Sequence, residues 1–66
     1  MHMTMKQFAD TFLESEKHSL EDEADRLEKF LEQSDERYKS QFAEAIIYLQ
    51  EARNIIRGII REINKE

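Results

Sequence analysis

The residues best suited to chemistry are a histidine and two carboxylates on one predicted helix face. His18 lies four residues after Glu14 and four residues before Asp22, so the three side chains share one stripe of an α-helix. Imidazole and carboxylate groups at this spacing can bind a divalent metal ion. The stripe faces away from the apolar side of the helix, however, and offers no cleft for a substrate. We therefore expect no metal site, no catalytic residue, no cofactor and no enzymatic activity.

A second pair of carboxylates, Glu16 and Glu23, falls inside the apolar sector of the same helix, seven residues apart. Helical proteins that bind two metal ions place carboxylates inward in this way, but they also carry Glu-x-x-His motifs. This sequence contains no such motif. We favour ion pairing, or a role in setting the register of an interface, for these two residues.

Two charged clusters carry alternative predictions. Arg53, Arg57 and Arg61 follow one another at four-residue spacing near the C-terminus, where cations stabilise a helix dipole. We expect them to pair with acidic residues of the first half, while contact with nucleic acid or with an acidic partner stays open. Residues 21–25 hold four acids and usually such a run is a solvated face. The alternative is a phosphate mimic that occupies a DNA-binding protein.

Length and composition restrict the fold class. The chain has 66 residues with no cysteine, no proline and one glycine, and 38% of its residues are charged. Disulfides are therefore absent, the turn residues of a compact β fold are missing, and the composition is typical of long helices. No apolar run approaches the roughly 20 residues of a membrane span. We predict an all-α cytoplasmic protein, for which the net charge of −5 disfavours nucleic acid as a partner.

Capping patterns and apolar spacing predict where the first helix begins and how far it runs. Thr4 and Gln7 have the spacing of a capping box, which predicts a helix over about 5–33. A second capping-like pattern begins at Ser19. Because the apolar stripe keeps its phase across this point, we expect no break near His18.

The phase of the apolar stripe slips in the polar stretch 33–36, which predicts a turn at about 34–35 with Ser34 or Asp35 as the N-cap. A second helix then covers about 36–64. The prediction is an antiparallel two-helix hairpin that forms one domain over residues 1–66. The alternative is one continuous helix about 90 Å long.

The second helix carries a complete heptad series of apolar residues. Steps of four and three connect Tyr38, Phe42, Ala45, Leu49, Ala52, Ile56, Ile59 and Ile63. Further apolar residues beside this seam, Ile46, Tyr48, Ile55 and Ile60, widen the apolar arc to about 180°. One partner helix cannot cover such an arc, and each exposed isoleucine forfeits about 1.5–3 kcal/mol of burial. We therefore expect a second hairpin, giving a homodimeric four-helix bundle, or a dedicated partner protein.

The predicted partner interface lies on the isoleucine-rich face of the second helix. It consists of Tyr38, Phe42, Leu49, Ile55, Ile56, Ile59, Ile60 and Ile63. Charge pairing is expected to set the register, because residues 1–36 hold 4 basic and 11 acidic residues while residues 37–66 hold 6 and 4. Arg53, Arg57 and Arg61 supply the basic side of these pairs.

Part of the second helix resembles a known family. Tyr38 near its start and the run Ala52-Arg53-Asn54-Ile55-Ile56-Arg57-Gly58-Ile59-Ile60 are similar to the small co-chaperone subunits of bacterial type III secretion systems. Those proteins are short helical hairpins that bind a tetratricopeptide-like partner and keep the needle subunit unpolymerised. The resemblance implies a secretion co-chaperone whose contact surface is formed by Ile55, Ile56, Ile59 and Ile60.

The function predicted from the sequence is therefore protein binding, by self-association or with a dedicated partner, and without catalysis. Two alternatives belong to other classes. One is the acidic decoy described above, which would bind a DNA-binding protein. The other is an RNA-binding dimer of helical hairpins.

Overall fold

The computed structural model describes residues 2–66, so Met1, which the predicted domain includes, lies outside the described residues. Helix α1 covers Met5–Phe8, a π-helical segment follows at Ala9–Leu13, and α2 covers Glu14–Gln33. Helix α3 covers Glu36–Lys65. We call Met5–Gln33 the N-terminal arm. The all-α prediction is confirmed, because every regular element of residues 2–66 is helical.

A capping box starts the N-terminal arm, as the sequence predicts. The Gln7 backbone N–H donates to Thr4 Oγ1 at 3.1 Å, and the Thr4 backbone N–H donates to Gln7 Oε1 at 3.0 Å. These reciprocal bonds satisfy two donors that a helix N-terminus leaves free. The arm then runs past His18 without interruption.

The turn between the helices consists of Ser34 and Asp35 and needs no glycine. Both residues have extended backbones, with φ/ψ of −84°/160° and −59°/148°, so neither enters the left-handed region that favours glycine. The Ser34 hydroxyl donates to the Leu31 carbonyl oxygen at 3.0 Å. Asp35 is the N-cap residue of α3, but its side chain makes no capping bond.

The contacts between the arm and α3 run in antiparallel order. Near the turn, the rings of Phe30 and Phe42 meet edge to face with their centroids 6.4 Å apart. At the far end, Ala9 packs in one cluster with Ile60 and Ile63. The chain is about 50 Å long and 18 Å wide, which is too short for one continuous helix. The N-terminal arm and α3 therefore form an antiparallel hairpin and not one continuous helix.

The π-helical segment corrects the phase of the arm. The arm residues that face α3 recur at steps of four and three from Leu31 back to Leu13, and one further step of three would place Asp10 against α3. In the π segment the Glu14 N–H bonds to the Ala9 carbonyl, five residues back, which adds one residue to that turn. Ala9 therefore faces α3 and is 0% exposed, while Asp10 stays in solvent.

The core that results is thin. The buried apolar residues are Ala9, Ala24, Ile46, Ile60 and Ile63. Two of these five are alanines, so the hairpin buries few large side chains. Two helices alone therefore leave much of their apolar surface in contact with water.

Gly58 gives a direct test of the α3 backbone. It lies inside the helix with a negative φ, and a Cβ built there meets no atom within 4 Å beyond its chain neighbours and the adjacent helix backbone. We expect Gly58→Ala to stabilise the protein by about 0.5–1 kcal/mol, because alanine loses less backbone entropy on folding. The melting temperature should rise by about 2–8 °C. A lower melting temperature would contradict the open surroundings of this position.

Candidate protein-interaction surface

The residues of α3 that pack against the N-terminal arm form one heptad series, which we call the inner seam. They are Lys39, Phe42, Ile46, Leu49, Arg53, Ile56, Ile60 and Ile63, and all are buried or half-buried. The steps alternate between three and four residues, as in coiled-coil packing. Toward the C-terminal end, Ile56 packs against the cluster of Ala9, Ile60 and Ile63.

A second heptad series runs beside the inner seam, and we call it the outer stripe. It consists of Tyr38, Gln41, Ala45, Tyr48, Ala52, Ile55, Ile59 and Glu62. Each of these residues immediately precedes a residue of the inner seam, so the stripe is displaced by about 100° around the helix. Tyr48 is 62% exposed and Ile55 is 65% exposed, and Tyr38 and Ile59 are also exposed.

The structure corrects the single seam that the sequence predicts. That series takes one column from the inner seam, Phe42, Leu49, Ile56 and Ile63, and one from the outer stripe, Tyr38, Ala45, Ala52 and Ile59. Spacing alone does not assign a column to the inner seam or to the outer stripe, because both columns repeat every seven residues. The predicted partner interface divides in the same way. Ile60 and Ile63 are buried inside the hairpin, whereas Tyr38, Ile55 and Ile59 face solvent.

Apolar residues of the N-terminal arm extend the same side of the hairpin. An open groove near the turn is lined by Leu27 together with Tyr38 and Ala45 of the stripe. Phe12 and Phe30 each precede a residue that faces α3, as the stripe residues do, and both are exposed. Phe12 also packs on the ring of Phe8, with centroids 5.6 Å apart. The interface predicted from the sequence does not include Phe12, Phe30 or Tyr48. Each of them immediately precedes a residue that packs between the two helices, and that position is the sequence signal by which they could be found.

The predicted ion pairs between α3 and the N-terminal arm form only in part. Of the three arginines predicted to pair with the arm, Arg57 comes within 4.0 Å of Glu21. Arg53 instead donates from Nε and Nη2 to Asn54 Oδ1, at 3.3 and 3.1 Å. Among residues 2–66, no carboxylate oxygen lies within 4.0 Å of Arg61. An exposed pair of this kind contributes about 0–1 kcal/mol, so charge pairing within the hairpin is weak.

The remaining carboxylates and the histidine form no site for a metal ion in the part of the chain that the structure describes. Glu23 pairs with Arg26 on its own helix rather than with α3, and Glu16 is exposed. His18 is exposed and its Nδ1 lies 3.7 Å from a Glu21 carboxylate oxygen. These groups therefore belong to the solvated surface of the arm.

Comparison of the chain with protein-family models, with curated proteins and with solved structures finds no match. Within residues 2–66, neither long helix has a stretch apolar enough to cross a lipid bilayer. The candidate interaction surface is thus the outer stripe, because large apolar side chains along one heptad series are exposed to solvent there.

Proposed function

We propose that this chain is a non-enzymatic protein that works by binding protein through the outer stripe of α3. The observation that carries the proposal is the exposure of Tyr48 and Ile55, at 62% and 65%, within a regular heptad series. Single exposed apolar residues are ordinary on protein surfaces, but a contiguous apolar stripe marks an interaction site. The heptad spacing suits a helix as the binding element, because knobs of one helix then fit holes of the other.

The free energy of apolar burial supports the same proposal. A hairpin of this length has a stability of about 3–10 kcal/mol if it follows the usual range per residue. Its described core holds three isoleucines and two alanines, which is a small apolar reserve. The exposed large side chains of the stripe keep about half of their surface in water, so covering each of them would add about 1–2 kcal/mol. Covering the stripe therefore contributes an amount comparable with the stability of the hairpin itself.

A secretion co-chaperone is one form that this function would take. In that form a groove-shaped partner protein covers the stripe, and Ile55 and Ile59 make the contacts, because Ile56 is half-buried and Ile60 is buried against the arm. The resemblance of the Ala52–Ile60 run supports this version. A second copy of the chain is the other form.

The proposal is tested by the dependence of melting temperature on protein concentration, together with the mass from light scattering. A protein stabilised by self-association melts at higher temperature as its concentration rises. We expect that rise, with a mass of twice 8.0 kDa. A poorly folded monomer would instead indicate a dedicated partner. A monomer that melts cooperatively at a concentration-independent temperature would overturn the proposal.

A further inference from the structure

We infer that the molecule covering the outer stripe is a second copy of this chain, with its α3 antiparallel to the first. The inference rests on the proposed function and adds the partner and its orientation. A twofold interface requires a surface that is complementary to itself. Three features of this side of the hairpin meet that requirement: the order of large and small side chains, the charges on the arm, and the area of the face.

The order of side chains along the stripe fits an antiparallel copy. The middle of the stripe reads Ala45, Tyr48, Ala52, Ile55. If a twofold axis crosses α3 at Gln50, Ala45 lies opposite the partner's Ile55 and Tyr48 lies opposite the partner's Ala52. Every one of these layers then contains one small and one large side chain, as well-packed cores do.

A parallel copy would pair each residue with itself. Ala45 and Ala52 would each meet the partner's alanine, leaving two layers that hold methyl groups alone, while Tyr48 would meet the partner's tyrosine. Two layers with too little side-chain volume beside a layer with too much would leave voids, and each void lowers the stability of the interface. In the middle of the stripe, the antiparallel orientation is therefore the one that fills the layers evenly.

The charges of the arm agree with the same axis. Ala24 lines one groove together with Leu49 and Gln50, so an axis at Gln50 crosses α2 close to Ala24. Glu23 and Arg26 each precede a residue that faces α3, which places them on the side of the outer stripe. A twofold axis between them sets Glu23 against the partner's Arg26 and Arg26 against the partner's Glu23. Opposite charges thus meet across the axis at both positions.

The size of the face is compatible with a stable dimer. The two longer dimensions of the hairpin are 50 and 18 Å, so its broad side has a projected outline of about 900 Å². A stable interface of standard size takes about 800 Å² from each partner. A second hairpin laid face to face would also complete a four-helix bundle, in which each helix has two neighbours about 90° apart. The 100° between inner seam and outer stripe matches that geometry.

The orientation is tested by distances between spin labels on the two copies. The chain has no cysteine, so the variants Arg37→Cys and Glu51→Cys each carry one nitroxide per copy. The two positions lie two heptads apart on one line of α3, so they differ only in height along the helix. In the antiparallel dimer the Glu51→Cys labels lie near the twofold axis, within about 20 Å of each other. The Arg37→Cys labels lie about 40 Å apart, measured along the helices.

Each result has a defined consequence. The expected pair of distances, from variants whose mass equals that of the unlabelled protein, supports the antiparallel dimer. Short distances at both positions would show a parallel dimer, which overturns the orientation and leaves the proposed function standing. Absence of dipolar coupling at both positions, with a mass of 8.0 kDa, overturns the second copy. In that case a cooperatively melting monomer overturns the proposed function as well, and a poorly folded one does not.

Discussion

Replacement of Ile60 by aspartate is expected to abolish the folded hairpin. Ile60 is 6% exposed and packs against Ala9 and Ile63, where the π-helical segment meets the end of α3. The substitution removes about 1.5–3 kcal/mol of apolar burial and places a carboxylate against the apolar side chains of the cluster that holds Ala9 and Ile63. Since the whole hairpin has about 3–10 kcal/mol of stability, little or none would remain.

The measurement for Ile60→Asp is helicity by circular dichroism, followed through a thermal melt. We expect loss of the cooperative transition and most of the helical signal. Ile47→Asp is the matched control, because Ile47 is 53% exposed and lies in neither the inner seam nor the outer stripe. That variant should melt like the wild type. A cooperative melt of Ile60→Asp near the wild-type temperature would contradict the packing of this end of the hairpin.

Replacement of Ile55 by aspartate is expected to dissociate the protein from its partner without unfolding the hairpin by itself. Ile55 is adjacent to Ile56 in sequence, yet it is 65% exposed because it lies on the outer stripe. The side chain contributes little to the inner seam, so the isolated hairpin should tolerate the change. In a covered stripe the new carboxylate loses its water, and truncations at such central positions cost more than about 2 kcal/mol. Affinity should fall by a factor of about 30 or more.

Light scattering and sedimentation at matched concentrations measure this effect. The wild type and Ile47→Asp should have the same mass, while Ile55→Asp should have the mass of one chain. Its helicity at low concentration should equal that of the dissociated wild type, which separates loss of association from loss of folding. If Ile55→Asp retained the wild-type mass, the outer stripe would not be the contact surface.

The fold class and the turn could be predicted from the sequence because local chemistry specifies them. The capping box at Thr4 and Gln7 and the polar stretch around Ser34 act within a few residues, so their effects do not depend on tertiary contacts. The assignment of isoleucines to faces could not be predicted in the same way. Ile55 and Ile56 have one chemistry and adjacent positions, and only the packing of the arm decides which of them is covered.

The π-helical segment was missed for a different reason. The apolar residues of the arm form one broad stripe in the sequence, and a stripe of that width hides a shift of one position. The signal is present, since the alternation of four and three that runs from Leu31 back to Leu13 continues to Asp10 rather than to Ala9. The pairing of the arginines with acids of the arm was predicted from the unequal charge of the two halves. Charge counts do not say which side chains lie close together, and Arg53 contacts Asn54 instead of an acid.

The π-helical segment has a consequence for how this arm can change in length. The extra residue in the Ala9–Leu13 turn is accommodated by the backbone, and the residues on either side keep their places against α3. A chain that lacked Thr11 would close this turn as ordinary α-helix and would still bring Ala9 to Ile60. Deletion of one residue elsewhere in a helix rotates everything beyond it away from its neighbours. At this turn it would remove only the extra residue, so the arm can be shortened here without losing the contact between Ala9 and α3.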